Sequence, residues 1–331
     1  TKKLAALVAL TAAAFYLILA GPNVATRRAF IMAAVMLLAV LADRRAISLR
    51  SVAIAALSVL CLEPESLIEP GFQMSFGATV ALIVSFRPWQ RVQAHVPKLL
   101  RPAAMMVLSS LAAGSATAPI AAAHFNRIAE YGLLANLMAV PLMGMIVMPA
   151  GVIAALLAPL GLAFPALWAM GVGTELILLV AEWVAGMKGA VVAVPAPPGG
   201  ALALLALGGI AALIGRGLRL RGAGAVAAAL ALVLWAAAER PVALVSSDGG
   251  LTGVMGAAGR ALSKPKGAGF VAKSWLEDDG DPALQETAFA RPGFEGAKGD
   301  LTARVAGITL HHLFGKGAAE RVRAACSDGA L

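Results

Sequence analysis

An all-α, polytopic integral membrane protein of about nine transmembrane or re-entrant helices, ending in a small, degenerate α+β soluble tail, is the fold class this sequence predicts. Three observations predict it. Hydrophobic residues make up 60% of the chain and charged ones 14%, with a mean hydropathy of +0.83. A soluble domain carries about a quarter charged residues, so 331 residues of this composition cannot hide their apolar surface without lipid. The charge is also uneven: residues 1–240 hold 17 of the 27 Lys and Arg and 8 of the 18 Asp and Glu, whereas residues 241–331 hold 10 of each. A basic membrane body, 1–238, therefore joins a polar tail, 239–331. Finally, the apolar runs have the length of a bilayer crossing, ~20 residues at 1.5 Å each.

Nine such runs are expected, at roughly 4–20, 27–42, 48–62, 71–86, 103–123, 131–157, 165–186, 200–214 and 224–237. The first follows Lys2-Lys3 and could pass for a signal peptide. Further runs follow without a small-residue cleavage site, so it reads as a membrane helix of a fragment whose natural start precedes Thr1. The third run is short enough to be half-buried or re-entrant. Tyr131 to Thr174 is uncharged and too long for one helix, and "PLGLAFP" at 159–165 supplies the dividing turn, since proline and glycine end helices.

Orientation follows from the bias of Lys and Arg in short loops. One alternating set of loops, from Lys2 through Arg44, Arg87 and Arg101 to Arg221, holds 12 basic residues. The other set holds 4, namely Arg27, Arg28, Arg127 and Lys188, together with the acidic run "EPESLIEPG" at 63–71. The first set is expected in the cytoplasm and the tail on the opposite side. "RPWQRVQAHVPKLLR" (87–101) is basic, carries Trp89 and reads as a segment lying on the inner membrane surface. Cys61 and Cys326 belong to no CxxC or ligand-spaced cluster, so buried, inert thiols are expected.

Polar groups inside the apolar runs are the candidate functional residues. Gln73 and Ser75 open the fourth run; Ser115 and Thr117 precede Pro119 deep in the fifth; Asn136 lies inside the sixth with Pro141 beyond it. Each is either a hydrogen bond between neighbouring helices or the lining of a wet cavity, because hydrocarbon satisfies no polar group. Pro119 removes a backbone bond, so the helix there is either kinked, with serine and threonine compensating, or broken, which is tolerated at membrane depth where it lines a cavity. Glu175 sits near the middle of the seventh run. A carboxylate there costs ~2.5–3.5 kcal/mol, and it is either a packed, protonated acid or a pathway residue. Glu182 is close enough to the end of the run to reach interfacial water.

"GPNVATRRAFIMAAV" (21–35), "EPGFQMSFGATVALI" (69–83) and "APIAAAHFNRIAEYGLLANLMAVPLMG" (118–144) resemble the competence membrane domain of ComEC-type DNA-uptake channels. Pro119, Phe125, Gly132, Leu133, Leu134, Asn136, Leu137, Pro141 and Leu142 carry the resemblance in the last stretch. Gly71, Phe72, Gln73, Ser75 and Phe76 carry it in the second, with Met74 where leucine is usual. The resemblance implies a multi-pass channel in the bacterial inner membrane that imports single-stranded DNA during natural transformation. It also implies a DNA-translocating ATPase and DNA-receptor competence proteins as partners, and it admits a homo-oligomer.

The family's outward metallo-β-lactamase-like domain would stand where this tail is, and "RPVALVSSDGGLTGVM" (240–255) resembles the start of a degenerate version. Its zinc cluster needs a His-x-His-x-Asp-His pattern, while the tail's histidines are the adjacent His311 and His312. Surface or strand positions are expected for both, with no metal, no cofactor and no enzymatic activity. The Walker pattern is absent, so the driving energy must come from a partner or the membrane potential. Rival readings are a small-solute transporter, expected to show paired broken helices in two halves, and a decayed remnant of the channel. A membrane hydrolase would need HExxH or GxSxG, and neither is present.

Overall fold

A computed structural model describes residues 2–21, 23–297, 299–305, 307–315, 317–318 and 320–322. The chain divides into two compact units, Thr1–Ala121 with Ala129–Val192, and Ala122–Ile128 with Ala193–Leu331.

The first unit begins with α1 (Lys2–Ala20) and α2 (Val24–Leu41). Asn23 starts α2 by accepting hydrogen bonds from the Thr26 amide and hydroxyl, both at 2.9 Å. This satisfies a donor that the helix itself leaves unpaired. Helix α3 (Leu49–Leu62) is capped in the same way by Ser48, and α4 (Pro70–Val92) opens with Pro70, whose missing N–H costs nothing at that position. Val52, Ala55 and Val59 of α3 and Phe72 and Phe76 of α4 are buried together, with Ile31, Met32 and Val35 of α2 packed against them. Phe72 and Phe76 fall one turn apart, so their rings meet with centroids 4.5 Å apart and planes tilted by 44°.

Helix α5 (Arg101–Phe125) leads through the short strand β1 (Arg127–Ala129) to α6 (Gly132–Leu142). A π-helical turn, Met143–Val147, joins α6 to α7 (Met148–Leu157). Its cause is local: Pro149 has no N–H to offer, and the Met148 N–H reaches back five residues to the Met143 carbonyl. A 3₁₀ turn and Gly161 at φ 72° then reverse the chain into α8 (Phe164–Ala185), as "PLGLAFP" predicts. Gly173 of α8 admits the π turn closely; a Cβ there would lie 2.9 Å from side-chain carbons of Ile146 and Val147. The strand β2 (Val191–Ala193) follows.

In the second unit α9 (Ala201–Ile214) and α10 (Leu218–Ala236) cross backbone to backbone. A Cβ on Gly208 would stand 2.7 Å from the Ala228 nitrogen, and one on Gly224 would stand 2.6 Å from the Gly208 carbonyl oxygen. The tail holds two antiparallel meanders, β3 (Ala243–Val245), β4 (Thr252–Gly256) and β5 (Gly259–Leu262), then β6 (Glu295–Ala297), β7 (Asp300–Val305) and β8 (Ile308–Leu313). Between them lie α11 (Gly269–Asp278) and α12 (Gln285–Phe289). Leu251, Leu262, Ala272, Leu276 and Ala288 form one core of this tail.

Helices stand at each of the nine expected positions when α6, the π turn and α7 are taken together. Among the described residues six helices are long and apolar enough to cross a membrane: α1, α2, α5, the α6–α7 run, α8 and α10. Helices α3 and α9 are shorter, at 14 residues each, and α4 ends in a charged stretch with Arg87 and Arg91. Helix α4 runs on through Pro88 to Val92, so residues 87–92 continue that helix. Two expectations are corrected. Helix α5 is not broken at Pro119; it is continuous, and the irregular backbone lies at 143–147 instead. Cys61 is free and exposed. Cys326 lies outside the described residues.

Candidate functional site

The residues singled out in the sequence fall into two settings. At the junction of α2, α3 and α4, polar groups are tied to one another. Arg27 of α2 forms an ion pair with Glu63 at the end of α3. Ser66, 1% exposed, donates to the other Glu63 carboxylate oxygen at 3.5 Å. The Arg28 guanidinium lies over the first turn of α4, so that a Cβ on Gly71 would meet its nitrogen at 2.9 Å and the arginine side chain would have to swing aside. Gln73 donates from its side-chain amide to the Leu67 carbonyl at 3.0 Å, securing the loop that feeds α4. Ser75 is half-buried one position beyond Met74, and its carbonyl accepts from Thr79 at 2.7 Å.

Sequence reading placed Gln73 in this group and missed Arg27, Arg28, Glu63 and Ser66. Its own tally carried the hint, since Arg27, Arg28 and the acidic run 63–71 belong to the same set of loops. The ion pair neutralises part of the positive charge counted there.

The second setting is α5, α6 and α8. Ser115 is exposed and donates to the Ala112 carbonyl at 3.1 Å, while Thr117 donates to the Ala113 carbonyl at 3.0 Å. Both hydroxyls are thus satisfied within their own helix. Helix α5 approaches α4 just above them: a Cβ on Gly77 would be 3.6 Å from the Ile120 Cδ1 and 3.9 Å from the Ala116 carbonyl. Pro119 lies in the same turn. Asn136 of α6 is exposed, and its side chain makes no hydrogen bond among the described residues. Pro141 closes α6 just before the π turn. Glu175 of α8 is exposed and joins no ion pair among the described residues. An apolar groove of about 280 Å³ separates α6 from α8, lined by Met138, Leu142, Leu176, Leu179, Val180 and Trp183.

The pattern of the Competence protein family matches residues 1–219, the stretch that holds every one of these side chains. The chain belongs to that family. Among curated proteins it resembles ComE operon protein 3 of Bacillus subtilis (strain 168), with 27% identity over 164 residues. That match covers 50% of this chain and 20% of the relative, so the chain aligns with about a fifth of the relative's length. No solved structure matches. The family match places the knit α2–α4 junction and the open α5–α8 residues within one Competence region.

The tail, beyond the family match, has its own polar centre. Asp279, almost fully buried, accepts from Arg260 at 2.5 and 3.0 Å and from Arg240 at 3.0 Å; Arg260 is wholly buried. Asp281 pairs with Arg291 through two contacts, one at 3.1 Å, and that pairing holds its carboxyl below the usual range. His311 and His312 are neighbours on β8 and so point to opposite faces. His312 is buried, with Nε2 3.0 Å from the Gly249 carbonyl and Nδ1 unpartnered among the described residues. Burial lowers its pKa. Among the described residues no three His, Cys, Asp or Glu side chains gather as metal ligands.

Proposed function

We propose that this chain forms the membrane part of an inner-membrane channel that imports single-stranded DNA during natural transformation. The observation that carries the reading is the Competence family match over residues 1–219, a stretch rich in helices of bilayer length. Residues 1–238 act as the channel domain, and 239–331 is a partial, degenerate metallo-β-lactamase-like region without enzymatic activity, metal or cofactor. All nine helical segments, α3 and α9 included, enter the membrane. Its partners are the lipid bilayer, single-stranded DNA, a DNA-translocating ATPase and DNA-receptor competence proteins, with several copies compatible with the arrangement.

The physical task is to move a polyanion through a low-dielectric slab. Each phosphate charge is prohibitively expensive in hydrocarbon, so a continuous wet path is required. Neutral polar groups suit such a path because they solvate the strand without holding it, as densely placed arginines would. Ser115, Asn136 and Glu175 support this reading, since none is sealed into a dry contact within the chain. Gln73, Ser75, Thr117, Pro119 and Pro141 shape the helices that present them. The tail is assigned to the non-cytoplasmic side together with the Arg127 loop, a placement supported by the Arg127–Glu277 ion pair at 2.9 Å.

The test is deletion of the gene in a naturally transformable host, with labelled DNA scored in the cytoplasm separately from DNA held outside. DNA should accumulate outside and fail to enter, and the intact gene should restore entry. Unchanged entry would overturn the proposal.

A further inference from the structure

The strap "VPA" at 194–196, between β2 and α9, makes three successive attachments. The Val194 N–H donates to the Asn126 carbonyl at 2.9 Å, and the Asn126 side-chain amide returns a bond to the Val194 carbonyl at 3.4 Å. Trp235 of α10 donates from Nε1 to the Pro195 carbonyl at 2.8 Å. The Ala196 N–H donates to the Asp278 carbonyl at 2.8 Å, where α11 ends. The following corner fits the strap closely: Gly280 has φ 71°, and a Cβ there would lie 2.6 Å from the Pro195 nitrogen. Beside it Arg127 pairs with Glu277, and Asp279 binds Arg240 at the exit of α10. Asn126 stops α5 in a left-handed conformation, φ 55°, that asparagine tolerates better than most residues. Thus the tail, the strap, α10 and the end of α5 are tied at one point. Helix α5 is unbroken, with residues up to Ala121 in the first compact unit and its last turn in the second.

We propose that the tail is a clamp on the C-terminal turn of α5, holding Ala122–Ile128 to the 194–196 strap and to the corner that ends α11. This positioning role needs no chemistry in the tail. Its consequence for transport rests on the DNA-channel reading; the clamp itself does not.

The experiment uses the full chain in lipid vesicles and follows amide hydrogen exchange at residues 120–127 and 193–197. Trp235→Phe keeps the ring and removes the donor; it should speed exchange in both segments about fivefold, the factor for one hydrogen bond of ~1 kcal/mol. Arg127→Glu should speed it about threefold, as an exposed ion pair warrants, and Glu277→Arg in the same chain should restore protection. Acceleration confined to 193–197, with 120–127 unchanged, would overturn the clamp. So would failure of the reversed pair to restore protection. DNA import is measured separately on the same variants. Faster exchange at both segments with unaltered import would keep the clamp and remove α5 from the DNA path.

Discussion

The α2–α3–α4 junction and the α5–α8 helices each carry polar residues in apolar surroundings, but they use them oppositely. At the junction, Arg27, Glu63, Ser66 and Gln73 are bonded to one another or to nearby backbone, above a core of Phe72, Phe76 and Val59. On α6 and α8, Asn136 and Glu175 remain exposed with no bond or ion pair among the described residues. One sequence feature, a polar side chain in an apolar run, therefore has two physical meanings. Where partners are supplied, the group fixes helix ends; where none are seen among the described residues, it stays exposed.

The largest effect is expected where the knit arrangement is most buried. Asp279→Ala leaves Arg260 buried without its carboxylate and should destabilise the tail by ~3–5 kcal/mol, as breaking buried ion pairs does; protease sensitivity of the tail reads this. At the α2–α4 junction Glu63→Gln removes the Arg27 partner and should cost ~1–3 kcal/mol, seen as a lower thermal midpoint in detergent. On the open side Asn136→Leu should change stability by less than about 0.5 kcal/mol, as for a surface substitution, yet abolish DNA import. A stability loss at Asn136 as large as at Glu63 would erase the distinction between the two regions.

The smallest effect concerns pH. Burial holds the His312 pKa below its ordinary 6.5, so the unfolded tail binds more protons than the folded one as pH falls through that value. The stability His312 contributes is full above pH 6.5 and is lost as pH drops through the lower folded value. Lys264, which adds to the depression, and the unpartnered Nδ1 make the protonated ring costly. His312→Phe should flatten the tail's stability profile in that window. Asp281, lowered by Arg291, adds its own loss only at more acidic pH.

Much of the helical layout was legible because hydropathy and loop charge act over whole segments, and "PLGLAFP" named its turn directly. The π turn was not legible: Pro141 and Pro149 announce a disturbed helix, but only the Met148–Met143 bond locates it. Pro119 misled for the same reason, since α5 absorbs it without a break. Phe72 and Phe76, one turn apart, could be read as a packed pair; Arg27 with Glu63 was within reach from loop charge alone. The tail clamp was out of reach, because Asn126 meets Val194 across 68 residues and Arg127 meets Glu277 across 150.

Thiol labelling tests the open, water-reached face most directly. In a chain with Cys61→Ala and Cys326→Ala, single cysteines replace Ser115, Asn136 and Glu175 in turn, and a membrane-impermeant reagent is applied to intact cells. The account predicts rapid labelling at all three positions, slowed while DNA is being imported. Absence of labelling at all three, with the protein correctly inserted, would contradict it.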